Sequence, residues 1–361
     1  MKTDDFDYTL PPELIAQTPA EVRDACRLLV LNKRSGALQD CVFHDIGTFL
    51  HPGDLLVANE TRVLPARMLG TKRGSGGSAE IFLLREIFNR EPKTAHTALW
   101  EVLVRPGKRL KPQTGAVVDI PDAQGNVCLS IEIVDWAEQP SPGERIAQLT
   151  TTLPSLDEAL HACGHTPLPP YIKHYAGDEE LYQTVYSKSE HSAAAPTAGL
   201  HFTPELIAAL QEQGVGWETV DLEVGLDTFR LVDEDDPRNH VIHTETYSVP
   251  QKTIDAINRT KDAGGRVIAV GTTSMRSLES CYDEQAKCVK ARTREHTSLY
   301  ILPGYTFNVV DAMITNFHVP RSTLMMLVSA LAGREHIMAA YQHAIHERYR
   351  FLSFGDAMFI Q

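Results

Sequence analysis

Three short segments of the sequence bring together groups that could bind or transform a small ligand. In the first, the apolar run 266–270 leads into a polar turn and a helical pattern that begins with Gly271, Thr272, Thr273 and Ser274. Such a turn leaves backbone N–H groups and hydroxyls free, which makes a site for a carboxylate or a phosphate. Arg276 and Glu279 follow three residues apart and share one helix face. The alternative is an ordinary helix cap with a surface ion pair.

The other two segments each carry a histidine in a loop that opens onto a helix. His318 lies two residues after Asn316, and His201 follows a turn of small residues that contains Thr197 and Gly199. A loop histidine can titrate near neutral pH and move protons, and a small-residue turn lets a ligand approach the backbone. Each histidine could instead be a satisfied structural residue.

Several functional classes are disfavoured by motifs that the sequence lacks. No GxGxxG follows a first strand, which argues against Rossmann-type methyltransferases and dehydrogenases, and there is no P-loop, HExxH or GxSxG. The six cysteines form no CxxC pair, so no metal site is expected and a reducing compartment fits. The first ten residues are acidic, unlike a signal peptide, and the longest apolar run, 324–332, is about half the ~20 residues of a membrane span.

The elements that must position these loops fall into two regions. Between about residues 70 and 135, short alternating runs separated by Gly, Pro and Asn predict a small barrel or sandwich, with strands at 79–84, 99–105, 116–120 and 127–134. Elsewhere, apolar strands at 54–58, 219–224, 266–270 and 309–314 alternate with helices. This pattern predicts an α/β sheet domain, residues 1–69 and 146–361, with a small inserted antiparallel β-barrel domain at 70–145. Residues 140–142 are predicted to be the exit linker.

The charge of the chain is unevenly distributed. The net charge is −13, which by itself argues against a nucleic-acid partner. Between residues 62 and 111, however, there are eleven Lys and Arg residues against four Glu residues. Because phosphates respond to local potential, this basic region could hold a polyanion at one place on an acidic body. A solvated basic surface explains the composition equally well.

Taken together, several stretches resemble the S-adenosylmethionine:tRNA ribosyltransferase-isomerase family of the queuosine pathway. They are residues 54–67, 167–172, 182–186, 195–202, 270–274, 276–280, 315–318, 322–324 and 354–358. Each stretch is short, but their number and order make the resemblance specific, and it runs nearly end to end. The inserted β-barrel of that family agrees with the strand-rich region.

The resemblance implies a reaction and its partners. The ribosyl part of S-adenosylmethionine moves to a 7-aminomethyl-7-deazaguanine base at the tRNA wobble position and rearranges, giving epoxyqueuosine-tRNA, adenine and methionine. S-adenosylmethionine is consumed as a substrate, so no cofactor is expected. A cytoplasmic monomer with no membrane partner is expected. The sulfonium acidifies the neighbouring ribose carbon, so a base is needed, and adenine leaves well only when an acid protonates it.

The resemblance also implies roles for individual residues. His201 and His318 suit the acid and base by type, without an assignment between them, and Asp356 or Glu279 could orient an imidazole. Residues expected to bind S-adenosylmethionine are Thr197, Gly199, Gly271, Thr272, Thr273, Ser274, Arg276 and Asn316. Residues expected to contact tRNA phosphates are Arg62, Arg67, Arg105, Lys108 and Arg109.

The sequence departs from the family pattern at two places. Glu223 and Asp227 stand where His and Gly are usual, and Glu190-His191 replaces a Pro-Gly. The two acids would add negative charge near a site that should hold tRNA. Two alternatives therefore stay open: a divergent paralogue that acts on another acceptor, and a non-catalytic tRNA-binding protein. A methyltransferase would instead yield S-adenosylhomocysteine.

Overall fold

The structure, a computed structural model, describes residues 1–87, 93–137, 143–173, 175–225 and 231–361. Asp227 and the predicted linker 140–142 lie outside the described residues, as do Arg90 and Glu91 of the basic region. The chain divides into two compact units. One consists of Met1–Arg62 and Leu168–Gln361, and the other of Val63–Pro167.

The described residues contain strands and helices throughout. The strands are β1 (Arg27–Leu31), β2 (Leu38–Val42), β3 (Leu55–Asn59), β4 (Arg62–Val63), β5 (Arg67–Lys72), β6 (Ser78–Ile87), β7 (Thr97–Arg105), β8 (Val117–Pro121), β9 (Val127–Trp136), β10 (Glu144–Thr151), β11 (Gly164–His165), β12 (Glu190–Ser192), β13 (Gly216–Leu222), β14 (Glu245–Val249), β15 (Val267–Val270), β16 (Tyr282–Asp283), β17 (Cys288–Val289), β18 (Arg292–Thr297), β19 (Ala312–Asn316) and β20 (Ala357–Ile360). The α-helices are α1 (Leu156–Cys163), α2 (Pro204–Glu212), α3 (Gln251–Asp262), α4 (Thr272–Ser280), α5 (Thr323–Ala332) and α6 (Arg334–His346). Short 3₁₀ turns include Arg23–Ala25, Phe43–Phe49, Glu179–Tyr182 and Thr197–His201.

The first unit is built on a nine-stranded mixed sheet in the order β18-β14-β13-β3-β15-β19-β20-β1-β2. The four strands β13, β3, β15 and β19 run parallel to one another, so their carboxyl ends meet at one edge of the sheet. Antiparallel strands flank them on both sides. In open α/β sheets, ligands bind beyond the carboxyl ends of such strands.

The central strands are buried on both faces. Along β3, Leu55 and Val57 join one apolar cluster, whereas Leu56 and Ala58 join the cluster on the other face. All five residues of β3 are buried. This double burial explains why these strands have continuous apolar runs rather than alternating ones.

The helix starts follow the capping pattern of the sequence. The Ser322 hydroxyl accepts a hydrogen bond from the Met325 N–H at the start of α5, and Thr203 does the same for Leu206 at the start of α2. The apolar run 324–332 is the buried helix α5, as predicted. Among the described residues, no helix is long and apolar enough to cross a membrane.

The second unit is an antiparallel barrel in the order β5-β6-β7-β10-β9-β8, which β5 closes by pairing with β8. β10 follows residues 140–142 in the chain and pairs with both β7 and β9. Helix α1, capped by Ser155, packs its apolar side into the same core. The range 70–145 drawn from the sequence therefore lies inside this unit, which also takes in the start of β5, β10 and α1.

An ion pair at the opposite, amino-terminal edge of the sheet provides a stability test. The buried carboxylate of Asp54 accepts hydrogen bonds from the His51 N–H (2.9 Å) and the Arg266 N–H (3.1 Å), and it pairs with the Arg266 guanidinium at 2.5 Å. Burial alone would raise the pKa of Asp54, but these hydrogen bonds outweigh it and lower the pKa. The carboxylate is therefore stabilising above its unfolded pKa of about 3.9, and this contribution is lost as the pH falls below it.

We expect Asp54→Asn to lower the free energy of unfolding by about 1–3 kcal/mol at pH 7 and by less at acidic pH. Urea unfolding followed by circular dichroism measures both values. The exposed Asp262 at the end of α3 is the control, and Asp262→Asn should change the free energy by less than about 0.5 kcal/mol. Equal effects of the two substitutions would contradict the role of Asp54.

Candidate functional site

A cavity of about 420 Å³ opens at the carboxyl edge of the parallel strands. This volume lies in the roughly 300–1,000 Å³ range of small-molecule sites. The walls are residues 170, 171, 173, 194–198, 271–273, 315–319, 352 and 353, with Val224, Leu231 and Leu324. The three sequence segments that carry the candidate residues therefore meet around one space, although not every candidate side chain reaches it.

The start of α4 contributes one wall. Gly271 has φ +91°, a conformation that favours glycine, and its N–H donates to the Ile314 carbonyl at 2.8 Å. The first hydrogen bond of the helix is donated by Met275, so the N–H groups of Thr272 and Thr273 have no partner within the helix. The Thr273 hydroxyl oxygen is buried and has no hydrogen-bond partner among the described residues. This helix start thus keeps donors available for an acceptor in the cavity.

Ser274, also expected to bind ligand, points elsewhere. Its hydroxyl donates to the Val270 carbonyl at 2.7 Å, and the residue is fully buried. Gly199, another residue expected to bind the ligand, instead serves the packing of Tyr186. A Cβ at Gly199 would lie 1.9 Å from the Tyr186 hydroxyl oxygen, so the missing side chain makes room for Tyr186.

Asn316 joins three segments at the floor of the cavity. Its side-chain oxygen accepts a hydrogen bond from the Thr197 hydroxyl at 3.0 Å. Its nitrogen donates to His201 Nε2 at 3.1 Å and to the Leu352 carbonyl at 3.2 Å. Asn316 and Thr197 both line the cavity, as predicted from the loop sequences, and each holds the other in place.

His201 lies behind Asn316 and lines a separate cavity of about 140 Å³. Because Nε2 accepts from Asn316, the ring proton lies on Nδ1, which faces the Cys26 sulfur at 3.2 Å. Burial, with the nearby Arg23 and Arg350, lowers the pKa of His201 to about 3. His201 is therefore a neutral residue that positions Asn316.

His318 does line the main cavity. Its Nε2 lies 3.1 Å from the Thr315 hydroxyl, and its Nδ1 lies 3.3 Å from the Tyr341 hydroxyl. Burial lowers the pKa of His318 to about 3, so the imidazole is neutral at neutral pH. Of the two histidines, His318 is the one that can touch a molecule bound in the cavity.

The two carboxylates expected to orient an imidazole do not contact one. Glu279 accepts hydrogen bonds from the N–H groups of Asn308, Val309 and Val310 and from the Tyr305 hydroxyl. It therefore fixes the loop before β19. The shared helix face also does not pair Glu279 with Arg276, because Arg276 has another partner, described next.

Asp356 has a similar structural task. It accepts hydrogen bonds from the Arg27 N–H at 2.9 Å and the Arg350 N–H at 2.7 Å. Burial raises the pKa of Asp356 despite these bonds. The carboxylate ties the chain before β20 to the start of β1 and contacts neither histidine.

Arg276 is buried in the interior and paired with Glu245. The Arg276 Nη1 lies 2.5 Å from Glu245 Oε2, and Nη2 donates to the carbonyls of His243 and Thr297. Sequence analysis did not identify Glu245, which lies in β14.

The cavity is also lined by residues that sequence analysis did not identify. Lys173 is one of them, and it directly follows the stretch 167–172.

Two of the five arginines and lysines expected to bind tRNA are already paired. Arg62 bonds to Glu180 and Glu190, at 2.5 and 3.0 Å. In the barrel unit, Arg67 pairs with Glu80 at 2.7 Å. These carboxylates reduce the positive charge that either arginine can offer to a phosphate.

The other three lie together, Arg105 at the end of β7 and Lys108 and Arg109 in the loop that follows. The Arg105 side chain is 76% exposed and reaches Glu80 only at 3.9 Å. Lys108 and Arg109 are exposed, and the Arg109 carbonyl accepts a hydrogen bond from Lys72. This loop is a basic surface of the barrel unit.

Comparison with known proteins agrees with this architecture. The chain matches the family described as "Queuosine biosynthesis protein" over residues 3–360. A crystal structure of S-adenosylmethionine tRNA ribosyltransferase from Thermotoga maritima is 36% identical, covering 99% of this chain and 100% of that one, with a TM-score of 0.52. The chain belongs to the queuosine biosynthesis protein family. It is a transferase, and the predicted α/β fold with a β-barrel is confirmed.

The departures from the family pattern are compensated locally in this queuosine biosynthesis protein. Glu223 pairs with Arg294 at 2.8 Å, and His191 pairs with Asp221 at 2.9 Å. Glu190 is one of the partners of Arg62. Each departure among the described residues, Glu190, His191 and Glu223, thus has an opposite charge beside it. The negative charge of Glu223 is therefore largely offset.

No obvious metal site is found in the part of the chain that the structure describes. There, no group of three or more His, Cys, Asp or Glu side chains is arranged to hold a metal ion. The polar residues that line the cavity instead carry hydroxyls, an amide, an imidazole and the Lys173 ammonium, beside backbone N–H groups. These groups suit an organic ligand held by hydrogen bonds.

The charge state of the histidines can be measured directly. We expect ¹⁵N NMR of the imidazoles to show His201 and His318 neutral at pH 6, since burial holds both pKa values near 3. His191 is the matched control. Burial would lower its pKa, but Asp221 outweighs burial and raises it, so His191 should be protonated at pH 6. Titration of His318 near pH 6.5 would contradict the burial argument; His→Gln variants assign the signals.

Proposed function

We propose that the chain transfers the ribosyl part of S-adenosylmethionine to a 7-aminomethyl-7-deazaguanine base at the wobble position of tRNA. The products would be epoxyqueuosine-tRNA, adenine and methionine. The observation that carries the proposal is the cavity at the carboxyl edge of the sheet, where the α4 start and Thr273 keep unused donors. Family membership and the similarity to the Thermotoga maritima S-adenosylmethionine tRNA ribosyltransferase support the substrate class. A tRNA substrate would place the enzyme in the cytoplasm, and we propose that it acts as a monomer.

The chemistry requires a base and an acid, and the site favours a particular base. A proton must leave the ribose carbon next to the sulfonium, and the aminomethyl nitrogen forms a new C–N bond as it loses a proton. The ribosyl carbons and an oxygen close into the epoxy-cyclopentane ring as the bonds to adenine and to the methionine sulfur break, and adenine takes up a proton. A neutral imidazole can accept a proton but cannot donate one as an imidazolium. His318 is the imidazole that lines the cavity, and its ring is unprotonated at neutral pH, so we assign it the base on its position. His201 acts through Asn316 as a positioning residue.

We expect His318→Gln to slow single-turnover adenine release by about 10²- to 10⁴-fold, because the base is lost. His201→Gln should raise the KM for S-adenosylmethionine more than it lowers kcat, since it disturbs only the orientation of Asn316. The exposed His44 provides the control, because His44→Gln should leave both constants unchanged. Wild-type rates of adenine release in both His318→Gln and His201→Gln would contradict the proposed roles.

The overall reaction is tested by mass spectrometry of tRNA. The purified chain is incubated with S-adenosylmethionine and tRNA that carries the aminomethyl base. Epoxyqueuosine in the tRNA, together with free adenine, would support the proposal. S-adenosylhomocysteine as the product would identify a methyltransferase instead, and binding of tRNA without any adenine release would identify a non-catalytic binder.

The basic loop after β7 predicts a salt dependence. We expect the double variant Lys108→Ala/Arg109→Ala to reduce the slope of log affinity for tRNA against log salt by about 2, because two phosphate contacts are lost. Filter binding over a series of salt concentrations measures the slope. Lys287, exposed and paired with Glu284, is the control, and Lys287→Ala should keep the wild-type slope. An unchanged slope in the double variant would exclude this loop from the tRNA contact.

A further inference from the structure

A smaller chamber of about 40 Å³ adjoins the main cavity. Thr272, Thr273 and Leu324 line both spaces. One water molecule needs at least roughly 10–15 Å³ of such volume, so the chamber has room for a few heavy atoms but not for a ring. It is therefore suited to the end of a ligand whose larger part lies in the main cavity.

The chamber contains two opposite charges that are nearly inaccessible to water. Arg276 is 7% exposed and Glu245 is 5% exposed, and both line the chamber. Glu245 also accepts a hydrogen bond from the Gly225 N–H and lies 3.0 Å from His243 Nε2. Burial would raise the pKa of Glu245, but His243 and Arg276 outweigh it and lower the pKa, so the carboxylate is charged. Burying such a pair is costly, and its benefit to stability alone is small.

Unused donors surround the same chamber. Arg276 Nε has no hydrogen-bond partner among the described residues, and neither does the Thr273 hydroxyl. The N–H groups of Thr272 and Thr273 at the start of α4 add two more donors. Native proteins rarely leave buried donors unpaired, so these groups indicate an acceptor that belongs to a ligand.

The net charge of the chamber limits what that ligand can be. The carboxylate of Glu245 already lines the chamber beside Arg276 and His243, so a phosphate would place further negative charge next to Glu245. An α-amino acid end is itself neutral overall, with a carboxylate and an ammonium side by side. Its two charges can oppose those of the pair, and no net charge is buried.

We propose that this chamber is the subsite for the α-amino-carboxylate end of S-adenosylmethionine. The carboxylate accepts hydrogen bonds from the α4 start and Thr273 on the side of Arg276, and the ammonium faces Glu245. The adenosyl part then lies in the main cavity beside Asn316 and His318. This inference rests on the proposed function, and it makes Glu245 and Arg276 determinants of specificity for an intact methionyl group.

The test compares ligands that differ only at this end. Isothermal titration calorimetry, with and without saturating tRNA, measures the Kd of S-adenosylmethionine, its decarboxylated analogue and the analogue without the α-amino group. We expect each analogue to bind at least about tenfold more weakly to the wild-type chain. Glu245→Gln should remove most of the penalty for the missing amino group, and Arg276→Lys should reduce the penalty for the missing carboxylate.

Thr273→Val provides a variant that should fold normally, because the Thr273 hydroxyl has no internal partner to lose. We expect it to keep the wild-type melting temperature and to weaken binding of S-adenosylmethionine while leaving the decarboxylated analogue unchanged. Ser329 provides the matched control. Its buried hydroxyl also lacks a hydrogen-bond partner among the described residues, but Ser329 does not line the chamber. Ser329→Ala should bind all three ligands like the wild type.

The outcomes separate the subsite from the function on which it rests. Equal affinity of the wild-type chain for S-adenosylmethionine and the decarboxylated analogue would overturn the subsite and leave the proposed function standing. Equal weakening of both by Thr273→Val would do the same. Absence of any S-adenosylmethionine binding, with or without tRNA, would overturn both.

Discussion

The arrangement of the cavity depends on the hydrogen bonds of a single carboxamide. Asn316, at the end of β19, accepts from Thr197 and donates to His201 and the Leu352 carbonyl. An amide has its acceptor on one side and its donors on the other, so only one orientation satisfies all three partners. The turn 197–201, the loop after β19 and residues 352 and 353 are distant in sequence. They are held together at this point because Thr197, His201 and Leu352 all bond to the Asn316 side chain.

The neutrality of both histidines has an electrostatic consequence for the same wall. Burial keeps His201 and His318 uncharged, so no imidazolium faces the cavity at neutral pH. A sulfonium bound there would not meet a like charge on either ring. Burial thus fixes the two rings and keeps both of them uncharged. A solvent-exposed histidine in the same place would be partly charged near pH 6.5.

Local patterns predicted the fold and part of the site, and the failures share a cause. The turn into α4, the Ser322 cap and the buried strands are visible in the sequence because they depend on neighbouring residues. Glu279 and Asp356 were assigned to the histidines from their type and their place near the candidate loops. For Glu279 the real partners are mainly backbone N–H groups about thirty residues away. For Asp356 they are the N–H groups of Arg27, near the start of the chain, and of Arg350, six residues before it. Long-range contacts also explain why the barrel unit extends beyond the predicted range 70–145, since β5 and β10 join it by pairing with distant strands.

Glu245 shows that one part of the site did leave a signal in the sequence. Along β14, Glu245, Tyr247 and Val249 point inward, while the residues between them are partly exposed. An acid at an inward position of a strand must have a charged or hydrogen-bonding partner, because a bare buried carboxylate is too costly. Arg276 is the cation in a helix that follows an apolar strand, and it too lacks a solvent-facing position. Two opposite charges that are both forced inward by their elements predict a buried pair. At the proposed subsite, the two charges would orient the opposite charges of the substrate, a task that apolar residues in their place could not perform.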